Sequence, residues 1–129
     1  MPTSPYQLRF FFDWGAGCLW AGDKATTDRF GYGPLESPPS PLPISDSLLT
    51  QCEALSRWHD TALNWEYPPD PGPWRQDECD RFNLAVRALL EELRRCLQPD
   101  FEILDQQPRM EEDPDLDAYL ANPSGFRRS

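Results

Sequence analysis

The chain has 129 residues and a mass of 14.9 kDa, within the usual size of one domain, and its 12 basic and 22 acidic residues give a formal net charge of −10 and a pI of about 4.4. Such a charge repels phosphate backbones and excludes a generic nucleic-acid binder, and no apolar run approaches the ~18 residues of a membrane helix. Five Trp, seven Phe and four Tyr exclude a disordered chain, which would be poor in aromatics.

The opening residues lack a basic segment followed by a long apolar one, so they do not read as a secretory signal, and the expected compartment is the cytoplasm. Tyr6, Leu8, Phe10, Phe12 and Trp14 alternate with Gln7, Arg9, Phe11 and Asp13. This period of two predicts a strand, with Phe11 making its second face partly apolar. The run ends in WGAG, and CLWA, Cys18 to Ala21, is expected to pair back as a short second strand. Lys24 to Phe30 reads as a short helical turn. Five prolines between Pro34 and Pro43 then demand an extended connection, of a length that is either functional or strapped to the surface.

The first long helix starts with Ser45 or Asp46 as N-cap. Leu48, Cys52, Leu55, His59 and Ala62 form its apolar stripe, and it must end before Pro68. The second is expected to start near Asp77 as N-cap, with Asp80 three residues on. Cys79, Phe82, Val86, Leu89, Leu90, Leu93 and Leu97 recur at helical spacing, and Pro99 stops it. Phe101 to Gln106 reads as a further strand, which can lie parallel to the first because two helices intervene. The expected architecture is therefore α/β (α+β): a small mixed sheet of about three strands with two long helices packed on one face. Residues 1–107 are expected to form a single globular domain and 108–129 an acidic C-terminal tail with one helical turn at DLDAYLAN. That tail reads either as frayed or as a segment that docks on a partner or on the body.

Signs of catalysis are sparse. His59 is the sole histidine, so any Ser-His or Cys-His nucleophilic site would have to use it, yet it continues an apolar stripe. The cysteines at 18, 52, 79 and 96 lack the close pairs of a zinc site and read as free, largely buried thiols. No phosphate-binding glycine motif or calcium loop can be read. Asp13, at the end of the first strand, is the best single carboxylate, but nothing in the sequence places a second one beside it. A small enzyme using Asp13 or His59 is one alternative, and an adaptor subunit of a larger assembly is another. No cofactor or metal is expected.

The run NWEYPPDPGPW, Asn64 to Trp74, joins the two long helices with four prolines, two tryptophans and a tyrosine. Proline fixes φ, so such a connection loses little entropy on binding, and Trp and Tyr supply large contact areas with a polar handle. It reads equally as a cap on the open end of the helix pair. The residues expected to meet a partner are Trp65, Glu66, Tyr67, Asp70, Trp74 and Asp77, then the tail acids Glu111, Glu112 and Asp113, and then Asp13, Trp20 and Asp23 near the hairpin.

With RFFFDWGAGCLWAGD, RFGYGPL and TALNWEYPPDPGPW assembled, the chain resembles small acidic bacterial immunity proteins of toxin–immunity systems. The resemblance implies a cytoplasmic, non-catalytic antidote that binds a cognate toxin domain, often one delivered by a contact-dependent or Rhs-type system. It implies a partner with a basic surface, as a nuclease presents to phosphates, with no direct role for nucleic acid or membrane. The protein itself is expected to be a monomer or weak homodimer.

Overall fold

The computed structural model describes residues 4–128. In chain order the elements are β1 (Tyr6–Phe10), β2 (Leu19–Ala21), α1 (Lys24–Phe30), α2 (Asp46–Asp60), α3 (Gln76–Leu97), β3 (Phe101–Asp105) and α4 (Leu116–Ala121), followed by a 3-10 turn at Pro123–Gly125. The fold is the expected α+β arrangement. β1 is the central strand of the order β2-β1-β3. It runs antiparallel to β2, with Phe10 opposite Leu19, and parallel to β3, with Leu8 opposite Ile103.

The regular part of β1 is shorter than the alternation to Trp14 suggests. Phe11 N–H still donates to Cys18 O at 3.1 Å, but the next pair is Asp13 N–H to Gly17 O at 3.0 Å. The register thus slips by one residue, a bulge that re-aims the hairpin tip. Gly15 takes φ +70° in that turn, a backbone conformation most side chains resist.

α3 anchors the core. Its seven apolar stripe residues, Cys79 through Leu97, are all buried and meet Leu8, Phe10, Phe101 and Ile103 of the sheet in one cluster. Each large side chain contributes roughly 1.5–3 kcal/mol as an upper bound. α2 packs beside α3 through Leu48, Cys52 and His59. All four cysteines are free; Cys18, Cys52 and Cys79 are buried and Cys96 is exposed. The Cys18 thiol, hydrogen-bonded to Cys52, buried and close to Glu36, titrates well above its ordinary value.

The proline-rich connection between α1 and α2 is strapped down rather than free. Leu35 N–H donates to Leu19 O at 2.8 Å, and Leu35 and Leu42 are buried. Glu36 is buried too. Its carboxylate accepts the N–H of Cys18 at 2.8 Å and of Leu19 at 3.1 Å. Gly17 permits this approach, since a Cβ there would lie 2.4 Å from Glu36 Oε2 and 2.5 Å from Pro34 Cβ.

Helix capping agrees with the sequence at one long helix and departs from it at the other. Ser45 Oγ accepts Leu48 N–H at the start of α2. α3 begins one residue before Asp77, with Arg75 at the N-cap position and no side-chain cap from it. The capping acceptor comes from far along the chain: Glu112 Oε1 takes Gln76 N–H at 3.0 Å, and Gln76 Oε1 takes Glu112 N–H at 3.1 Å. Asp77 sits in the first turn instead, where a negative charge favours the helix dipole.

The acidic C-terminal segment lies against the body. Asn83 and Met110 exchange two hydrogen bonds of 2.9 Å, and Leu116 is buried. Arg128 donates to Pro69 O, Asp113 and Asp115 at 2.7–3.2 Å, tying the end of the segment to the Asn64–Trp74 connection.

Candidate interaction surface

Asp60, the last residue of α2, organises one end of the molecule. Its Oδ1 accepts Gly15 N–H at 2.9 Å, and its carbonyl accepts Trp65 Nε1–H at 2.6 Å. The hairpin tip and the proline-rich connection, far apart in sequence, are thereby pinned to the same residue. The Trp65 ring reaches within 4.0 Å of the position a Gly15 Cβ would occupy. Trp14 stacks on His59 with ring centroids 3.9 Å apart and stays partly exposed, as does Trp65. Asp13 is exposed beside them, its Oδ1 accepting Trp14 N–H at 2.9 Å.

His59 sits beneath this edge, stacked also on Phe12 at 5.4 Å and close to Phe82 at 5.8 Å. Its Nδ1 is buried without a hydrogen-bond partner. Burial lowers its pKa to about 4, against the opposing pull of Asp60 and Asp13. The imidazole is therefore neutral at pH 7 and packs as part of the core.

The Asn64–Trp74 connection divides into an outer and an inner half. Asn64 Oδ1 accepts Tyr67 N–H at 3.1 Å, and Asp70 N–H donates to Tyr67 O at 2.9 Å. These turns leave Trp65 57% and Tyr67 58% exposed. Pro71 and Trp74 face inward. Trp74 is 5% exposed, packs 5.0 Å from Phe82 and donates to Thr61 Oγ1 at 2.8 Å. This corrects the expectation that Trp74 meets a partner: its ring closes the open end of the helix pair. Gly72 permits the tight return, because a Cβ there would lie 1.9 Å from Ala62 O. A shallow hollow of about 330 Å³ runs from Trp65 and Glu66 to Leu120 of α4, which is also exposed.

Of the residues singled out from sequence, Asp13 and Trp65 come to this edge on either side of Gly15 and Asp60, and Glu66 and Tyr67 follow Trp65 in the exposed half of the connection. Asp70 lies half-buried in the same connection. Asp77 is exposed on α3, 3.8 Å from Arg81, and Glu111 is exposed 3.9 Å from Arg109. Four others are engaged within the fold. Glu112 caps α3 as described. The Arg128 hydrogen bond at 2.7 Å holds the Asp113 carboxyl below its ordinary range. Trp20 stacks on Phe11 and donates to Phe11 O at 3.0 Å. Asp23 caps α1 through Thr26, which lowers its pKa, and α1 approaches the opposite end of β1 from the hairpin tip through the Thr26–Gln7 bond. Trp14, Asp60 and Leu120 were not singled out. Trp14 was hidden because it continues the inward-facing alternation of the strand.

Among the described residues no helix is long and apolar enough to cross a membrane. The family model described as Serratia CdiI immunity protein-like matches residues 6–106, from the start of β1 to just past β3. The chain belongs to the Serratia CdiI immunity protein-like family. Membership fits a protein that neutralises a toxin, and it implies a cognate toxin partner. No curated protein matches the chain. The match to the CdiI-like family spans the hairpin tip, Asp60 and the whole Asn64–Trp74 connection, while α4 with Leu120 lies beyond the matched residues.

Proposed function

We propose that the protein neutralises its toxin without catalysis, by seating the Trp14–Trp65–Tyr67 edge on the toxin's active surface. The observation that carries this reading is the double hydrogen bond of Asp60, which holds the hairpin tip and Trp65 together. Exposed Trp and Tyr side chains, pre-positioned by proline and by these bonds, are the groups that dominate binding energy at small cost in ordering. Asp13, Asp60 and Glu66 surround them with negative charge, and Asp70, Asp77 and Glu111 extend that field. On a −10 protein this favours a toxin with a basic surface and speeds its encounter. In this reading the protein acts in the cytoplasm as a monomer or weak homodimer and needs no cofactor.

The test is binding and protection by the double variant Trp65→Ala/Tyr67→Ala, with Leu84→Ala on the exposed back of α3 as control. The toxin domain is recovered by co-purification from the cells of origin. Loss of about 2 kcal/mol or more, roughly thirtyfold in affinity, together with lost protection of toxin-expressing cells, is the expected result. Wild-type binding and protection by the double variant would rule the edge out.

A further inference from the structure

Beside the aromatic edge a groove of about 610 Å³ opens between the hairpin tip, the proline-rich strap and the outer face of α2. Its volume lies within the ~300–1,000 Å³ of pockets that enclose small ligands. Leu42, Ile44 and Leu49 supply apolar lining. Its ionisable lining is one-sided: Glu36, Asp46, Glu53 and Asp60 against Arg57 alone. Four carboxylates and one guanidinium leave a formal −3, and Arg57 is already paired with Glu53 on the same helix.

Two buried polar groups on this groove lack what their chemistry seeks. Glu36 is 6% exposed, yet among the described residues no basic side chain forms an ion pair with it. Backbone N–H groups satisfy part of its hydrogen-bonding capacity but carry no full positive charge, and buried charges are ordinarily paired. Ser56 Oγ, also on the lining, is buried with no hydrogen-bond partner.

We propose that this groove receives an arginine or lysine side chain carried on an extended loop of the toxin domain. The aliphatic stem lies along Leu42, Ile44 and Leu49, as long basic side chains do on apolar surface. The cationic head faces the carboxylates, and a guanidinium has donors for both a carboxylate and the Ser56 hydroxyl. The inference rests on the toxin-neutralising reading above and names the chemistry that would enter.

The probe is N-acetyl-arginine amide, a single side-chain cation with no carboxylate, titrated into the 15N-labelled full chain. The expected result is saturable amide shifts confined to groove residues such as Ala16, Ser40, Leu49 and Thr50. They should weaken at least about tenfold in Asp46→Asn/Glu53→Gln and vanish in Thr50→Arg, whose own guanidinium fills the groove from an exposed helix position. N-acetyl-norleucine amide, with an uncharged stem, should leave these amides unmoved. Absent, scattered or charge-independent shifts overturn the groove as a cation site. On the toxin domain, Thr50→Arg should lose about tenfold in affinity, or about 1.4 kcal/mol, with an unchanged far-UV spectrum. A toxin that depends on Trp65 but binds Thr50→Arg at wild-type strength refutes the groove and leaves the aromatic edge standing. A cation-binding groove on a protein that needs neither Trp65 nor Tyr67 for protection refutes the edge alone.

Discussion

Replacing His59 by phenylalanine isolates the effect of a neutral, buried imidazole on stability. In the folded protein its pKa is lowered from 6.5 to about 4, chiefly by burial. Above pH 6.5 the group is neutral in both states and contributes no pH dependence. As pH falls from 6.5 towards 4 the unfolded chain takes up a proton that the folded chain refuses, so stability is lost. Below pH 4 both forms are protonated and the loss levels off at about 3 kcal/mol, from roughly 2.5 pKa units at 1.36 kcal/mol each. At pH 5 the same relation gives a loss of about 2 kcal/mol relative to pH 7.5. Phenylalanine can preserve the packing against Trp14 and Phe12 and removes the unpaired Nδ1. At pH 7.5 the variant should therefore match or exceed wild type, since an unsatisfied buried polar atom costs about 1–3 kcal/mol. Urea unfolding of both proteins at pH 7.5 and 5.0 provides the comparison. Carboxylates titrate in both and largely cancel in the difference, leaving wild type with the additional loss of about 2 kcal/mol. Equal pH slopes would show that His59 is not held neutral by burial, and the account of this core would fail.

Glu112→Ala removes the distant acceptor at the start of α3 and should cost about 0.5–2 kcal/mol in urea unfolding, the range for losing an N-cap; no loss would mean that water replaces it freely. Gly17→Ala forces a methyl into Glu36 and Pro34 and should cost about 1–3 kcal/mol, read as a lower thermal midpoint; an unchanged midpoint would contradict the tight strap. Trp74→Ala should destabilise by about 3–5 kcal/mol as a core truncation, whereas the exposed Trp65→Ala should change stability far less, so equal losses would refute the inner and outer division of the connection. Association with the toxin domain should slow markedly between low and physiological salt, as the Debye length falls to ~8 Å at 0.15 M; a salt-independent on-rate in stopped flow would exclude electrostatic steering.

Local pattern alone determined much of the fold. The seven-residue stripe of α3 and the alternation of β1 are short-range signals, because each reports a helical or strand period set by backbone geometry, and the stop at Pro99 and a cap at Ser45 or Asp46 are equally local. The segments around the hairpin and the connection were also enough to suggest an immunity protein, and the family match covers them. Three features depended on partners distant in sequence. In NWEYPPDPGPW, nothing local distinguishes Trp74 from Trp65; Phe82 and Thr61 draw one ring inward, while Asp60 holds the other at the surface. The tail acids looked alike, but Glu112 reaches the open end of α3 and Asp113 meets Arg128. Glu36 has no local partner in its proline-rich loop, and it is the hairpin amides of Cys18 and Leu19 that donate to its carboxylate. Periodicity can mark which face of an element seeks burial, but the pairing of a side chain with an orphan amide or a counter-charge is decided only when distant segments meet.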